Sequence, residues 1–141
     1  MQVQLSRDVQ KRIFEQLEAN FPNEGGGFLM GRVEKDVIKI EQVRAVENTF
    51  EAEEQYHRYA MTPADWMALE DEADEQGLSL VGYYHSHPNS PAIPSQYDVD
   101  HALPNFVYII TQVQEQEAID MRVYRLSEDR KSLLSETLII N

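Results

Sequence analysis

Two histidines flank a single residue in His85-Ser86-His87-Pro88, Asp98 follows eleven residues after His87, and Ser95 stands three residues before that carboxylate. Two imidazoles and one carboxylate make a tripod that leaves a tetrahedral Zn²⁺ ion one position for water, as a hydrolytic site requires. The chain has no cysteine, so thiolates cannot close a structural site. The apolar, β-prone run Leu78-Ser79-Leu80-Val81-Gly82-Tyr83-Tyr84 ends at His85. If the strand carries on, His85 and His87 point to one face with Cα atoms about 6.6 Å apart. A second reading stays open, in which Ser95 and Asp98 cap a short helix and the histidines decorate a strand end.

Water activated in such a site needs a group to take its proton. The best remote candidate is Glu24, in Phe21-Pro22-Asn23-Glu24-Gly25-Gly26-Gly27-Phe28-Leu29-Met30-Gly31. With twenty-five Asp and Glu in the chain a lone Glu says little. This one opens a run of glycines that lets backbone approach a ligand closely, and the chain then enters an apolar strand. Without the histidines, the same residues read as a turn before a strand.

The elements that must position these groups follow from periodicity. A helix is expected over 6–20, with Val9, Ile13, Phe14 and Leu17 on one stripe. A hairpin over 26–43 turns near Glu34-Lys35-Asp36, and a loop over 44–57 leads to a short strand at 58–61. Thr62-Pro63-Ala64-Asp65 starts a second helix that runs to Gln76 and stops at Gly77, with Trp66, Leu69 and Ala73 toward the core. Then come a strand over 78–85, the proline-rich loop, a short helix from Ser95, strands over 105–111 and 118–125, and a last strand ending at Ile140. The fold class this predicts is α/β, a mixed β-sheet flanked by helices. Tyr83 and Tyr84 should face opposite ways across their strand, while His57 and His101 stay outside the ligand set.

The two motifs together, Pro-x-Glu-x-Gly-Gly-x-Leu-x-Gly and His-x-His-Pro followed by Ser-x2-Asp, resemble the JAMM (MPN+) metalloprotease domain in its minimal stand-alone prokaryotic form. The resemblance covers nearly the whole chain and implies the cytidine-deaminase-like JAMM/MPN fold. It also implies His85, His87 and Asp98 as zinc ligands, Glu24 as general base and Ser95 as stabiliser of the tetrahedral oxyanion. Gly26 departs from many bacterial members, which carry Cys or Ala there. The implied activity is hydrolysis of a peptide bond beside the Gly-Gly tail of a ubiquitin-like or sulfur-carrier protein of the ThiS or MoaD type. Alternatives are an isopeptidase acting on lysine-linked conjugates, a RadC-like DNA-repair-associated protein, and a non-catalytic MPN scaffold.

Composition fits one domain over residues 1–141, large enough to bury about two thirds of its unfolded surface. A formal net charge of −13 argues against nucleic acid and anionic membrane as partners, and the twelve Lys and Arg form no dense run. The apolar stretches are shorter than a membrane span and nothing resembles a signal peptide, so a cytoplasmic protein is expected. The sequence leaves room for a homodimer. The acidic excess, concentrated in 51–54 and 65–75, has two readings, a face complementary to a basic partner or general surface acidity of the kind found in high salt, and its spread over a loop and the outer face of a helix favours solvated surface.

Overall fold

A computed structural model describes residues 1–46 and 63–141. The expected strand at 58–61, the loop before it from residue 47 on, His57 and Thr62 lie outside the described residues. Seven strands and three helices are described: β1 (Gln2–Leu5), α1 (Arg7–Asn20), β2 (Gly26–Glu34), β3 (Val37–Val46), α2 (Pro63–Glu75), β4 (Ser79–Pro88), α3 (Gln96–His101), β5 (Val107–Gln114), β6 (Glu117–Leu126) and β7 (Leu133–Ile140). The sheet is mixed, as expected, and it also closes, in the order β1-β3-β2-β4-β5-β6-β7.

Closure depends on β1, which periodicity did not reveal because four residues are too few to show one. Its Val3 and Leu5 alternate inward, and it pairs parallel with both β3 and β7. β7 divides its length between two neighbours: Leu133–Glu136 pair with β6, and Thr137–Ile140 pair with β1. The first half of β6 therefore has β5 on one side only. There Glu18 of α1 accepts the Ala118 N–H at 2.8 Å, satisfying an edge donor that β7 does not reach.

Helix α1 starts where Ser6 Oγ accepts the Val9 N–H at 3.1 Å. Its stripe of Val9, Ile13 and Leu17 packs on Val3, Leu29, Ile38, Ile40, Val81, Tyr84, Val107 and Ile109 in the main core, while Phe14 stays half-buried. Complete burial of side chains such as Ile13 and Leu17 contributes about 1.5–3 kcal/mol each. Helix α2 buries only Ala73 fully, packs Leu69 beside Met30 and Leu78, and sets Trp66 edge-on to Phe28 at 5.7 Å between ring centroids. It ends before Gly77, whose φ of 71° turns the chain back toward β4.

Several boundaries moved. β3 continues through Val46, pairing with Gly26, where the sequence suggested a loop from residue 44. β4 runs three residues past His85 to Pro88, because β5 continues beside it in parallel register from Gly82↔Val107 to Pro88↔Val113. Neighbouring strand, rather than local propensity, sets where a strand stops. No helix among the described residues is long and apolar enough to cross a membrane.

Candidate metal centre and active site

Extending β4 through Pro88 decides which way each motif residue points. Tyr84 and Ser86 are fully buried in the barrel wall, and Tyr83, His85 and His87 stand on the opposite face. The expected split of the two tyrosines is borne out: Tyr83 is half-buried, with its ring 6.1 Å from that of His85. The imidazoles of His85 and His87 lie 5.1 Å apart between centroids.

The loop after Pro88 returns the chain to these rings. Asn89 takes a positive φ of 52°, its N–H bonds the Val113 carbonyl at 2.8 Å, and its Oδ1 accepts the Glu115 N–H at 2.9 Å. Ala92 is buried, and its carbonyl accepts the Tyr124 hydroxyl at 2.6 Å. Held at both points, the loop delivers Ser95 and α3 beside the histidines.

The capping box and the approach of Asp98 to the two histidines are one arrangement. Ser95 Oγ accepts the Asp98 N–H at 3.1 Å, and Asp98 Oδ2 accepts the Ser95 N–H at 2.8 Å, a reciprocal capping box. The same carboxylate reaches back to β4, with Oδ1 3.1 Å from His85 Nε2 and Oδ2 3.2 Å from His87 Nε2. The cap fixes the carboxylate's orientation, and the histidines meet the oxygens it presents.

These distances fit a cation. One ligating atom from each of His85, His87 and Asp98 lies within 4.8 Å of the others. In a tetrahedral site with zinc–nitrogen bonds of about 2.0–2.1 Å, ligand atoms sit about 3.3 Å apart. His85 Nε2 is buried and, among the described residues, makes no aligned hydrogen bond, although Asp98 Oδ1 is 3.1 Å away. A buried, poorly aligned nitrogen facing a carboxylate is what ligands prepared for an ion look like. His87 is oriented from behind, because its Nδ1 lies 2.9 Å from the Pro91 carbonyl. A proton on Nδ1 donated to that oxygen leaves Nε2 for a metal.

Electrostatics bind the group together. Burial works against the charge on Asp98, but the His85 and His87 imidazoles beside it and the Ser95 N–H outweigh it, holding the carboxyl far below its usual range. Burial likewise opposes charge on His87. The bonds to Asp98 and Pro91 and the negative charges of Asp98 and Glu24 prevail, raising the imidazole above its ordinary value. Glu24 thus acts on the cluster from a separate part of the chain.

Glu24 stands between the end of α1 and the start of β2. The Ser86 N–H donates to the Gly25 carbonyl at 3.0 Å, and the Gly25 N–H donates to Ser86 Oγ at 2.9 Å. Gly25 is also pressed against α1, where a Cβ would come within 2.3 Å of Asn20 Nδ2. Gln16 adds a tie, with Nε2 donating to the Gly26 carbonyl at 2.8 Å and Oε1 accepting the Tyr84 hydroxyl. Sequence reasoning missed Ser86, Gln16, Tyr84 and the Pro91 carbonyl as supports. Only Ser86 carried a signal, since strand alternation turns it away from the histidines it separates. His101 stays outside the cluster, its Nδ1 2.9 Å from the Tyr97 carbonyl and its ring against Tyr97.

A closed mixed sheet with a two-histidine, one-carboxylate cluster beside a glycine-anchored glutamate is the architecture of a JAB/MPN-type domain. The chain belongs to that family, matching the model of prokaryotic homologs of the JAB domain over residues 6–127. It is 33% identical over 90 residues to a probable TtuB-protein conjugate cleaving protease of Thermus thermophilus, covering 63% of this chain and 55% of that protein. It is 32% identical over 90 residues to a desampylase of Haloferax volcanii, covering 63% of this chain and 62% of that one. The match therefore spans less than two thirds of either relative. A solved structure of a Salinibacter ruber protein superposes with a TM-score of 0.75 at 32% identity, over 98% of this chain and 91% of that chain.

Proposed function

We propose that residues 1–141 form one catalytic domain, a zinc peptidase that works in the cytoplasm on a ubiquitin-like or sulfur-carrier protein, cutting beside its C-terminal Gly-Gly tail. The observation that carries the reading is the convergence of His85, His87 and Asp98 within 4.8 Å, with the residue after Glu24 bonded to Ser86 between the two histidines. The two relatives named for conjugate cleavage and desampylation support the substrate class.

His85 Nε2, His87 Nε2 and one Asp98 oxygen would hold the zinc, leaving a fourth position open. Zinc held there supplies Lewis acidity, which polarises a carbonyl and makes water acidic enough to attack near neutral pH. Glu24 takes the proton from the attacking water and returns it to the leaving amine, one carboxylate serving as base and then acid. Ser95 Oγ accepts the Asp98 N–H, so its own proton remains available for the oxyanion. Asp98, fixed by the cap, stays ionised throughout. An extended diglycine tail suits a largely buried cluster because it presents bare backbone and places the scissile carbonyl without side-chain obstruction.

The test is a carrier bearing one extra residue after its Gly-Gly end, incubated with zinc-loaded chain and weighed by mass spectrometry. Loss of the extension by wild type, with Glu24→Gln retaining zinc but failing to trim, is the expected result. An intact carrier alongside a cleaved lysine-linked conjugate makes the isopeptidase reading correct. Absence of zinc uptake refutes the hydrolase reading.

A further inference from the structure

The middle residue of His85-Ser86-His87 has no role in ligand binding, since it faces the other side of the sheet. Yet it is a hydroxyl with 0% exposure in a wall built from Tyr84, Ile109 and Val113. Its parallel partner Thr111 is equally buried, and among the described residues Thr111 Oγ1 makes no hydrogen bond. Two buried hydroxyls side by side in an apolar wall are costly unless one of them does something an alanine could not.

What Ser86 does is visible in the last rung between β4 and the Glu24 loop. A regular antiparallel rung exchanges two backbone bonds. Here the Ser86 N–H reaches the Gly25 carbonyl at 3.0 Å, but the return bond from the Gly25 N–H goes to Ser86 Oγ at 2.9 Å. The side chain replaces the backbone acceptor, so the chain is held to β4 at Gly25 without having to continue as a strand. Glu24, one residue earlier, is left off the ladder just beyond the Gly26↔His85 and Gly25–Ser86 pairings, next to the strand end that carries the two histidines.

The structure assigns Ser86 as a positioning residue: its buried hydroxyl, from within the His-x-His segment, locks Gly25 so that Glu24 is held at the metal cluster. This rests on the proposed peptidase reading and deepens it, because ligands and general base then share one three-residue anchor. Ser86 touches neither substrate nor metal. It acts through Gly25 on Glu24.

Two measurements test this. The first is amide exchange at Gly25 in the metal-free protein, which needs no activity. The Gly25 N–H should be protected in wild type and exchange at least about tenfold faster in Ser86→Ala, while the Ile109 amide in the core is unchanged. A Gly25 amide unprotected in wild type overturns the proposal even if the variant does not fold. The second is a double-mutant cycle on zinc-loaded protein with an extended-tail carrier. Ser86→Ala should keep its zinc and KM and lose roughly 10²-fold in kcat, because a displaced base is costly. In the Glu24→Gln background the same substitution should cost almost nothing further, and Ser86→Thr, which keeps the hydroxyl, should recover most of the rate. Equal losses in both backgrounds refute a role through Glu24. If zinc-loaded wild type cleaves no substrate, the peptidase reading fails and the kinetic half of this proposal with it, whereas loss of Gly25 protection in Ser86→Ala still establishes the anchor.

Discussion

Acidification should expel zinc at a pH set by His87. Its Nε2 lies 3.2 Å from Asp98 Oδ2 and its Nδ1 2.9 Å from the Pro91 carbonyl. Only a doubly protonated ring donates to both, so the proton on Nε2 competes with zinc for the same lone pair. Because the folded value is raised above its ordinary 6.5, that competition persists to higher pH than for a free histidine. The sign for stability of the fold without zinc is the opposite: the favourable effect of the His87 proton is fully present below its unfolded value and lost as pH rises through the raised folded one. The Asp98 contribution, from a depressed carboxyl, is instead lost as pH falls below the unfolded value, about 3.9. Zinc affinity should therefore plateau at alkaline pH and fall about tenfold per unit below the His87 value, since this one proton costs about 1.4 kcal/mol per unit. Competition against a chromophoric chelator between about pH 5.5 and 8.5 measures the curve, with the break above 6.5. Glu24→Gln should move the break downward, though not to 6.5, because Asp98 and Pro91 remain. A plateau that persists at or below pH 6.5 refutes the bridged arrangement of Asp98 between the two imidazoles.

Three further outcomes follow from the same geometry. Asp98→Asn and Asp98→Ala should both lose zinc by elemental analysis, but only the alanine also loses the bond to the Ser95 N–H. The asparagine should be more stable than the alanine by about 1 kcal/mol in metal-free denaturant unfolding. Ser95→Ala should retain zinc, lower turnover by roughly 10²–10³-fold, and cost about 1 kcal/mol as a lost N-cap, read by kinetics and thermal melting together. Tyr84→Phe removes the donor to Gln16 from a fully buried position and should destabilise the fold by about 1–1.5 kcal/mol without releasing zinc, checked by urea unfolding and metal content.

The chemistry was legible in the sequence because it is local. His85 and His87 share a face whenever their strand continues, and Ser95 to Asp98 is one helical turn, so ligand types and cap could be read from spacing alone. The stripe of α1, the turn at Lys35 and the stop before Gly77 were also local matters, written in periodicity and turn chemistry. Tertiary structure decided what depends on partners distant in the chain. β1 closes the barrel only because β3 and β7 flank it, and β4 carries His87 as strand only because β5 lies alongside. Whether Asp98 served the cap or faced the histidines could not be settled by spacing, since one carboxylate has two oxygens and the fold turns them both to the Ser95 cap and to the two imidazoles. The placement of Glu24 depended on a bond between residues sixty-one apart, Gly25 to Ser86. A hydroxyl buried behind a sheet looks in sequence like any serine in a motif, and only packing shows which amide it holds.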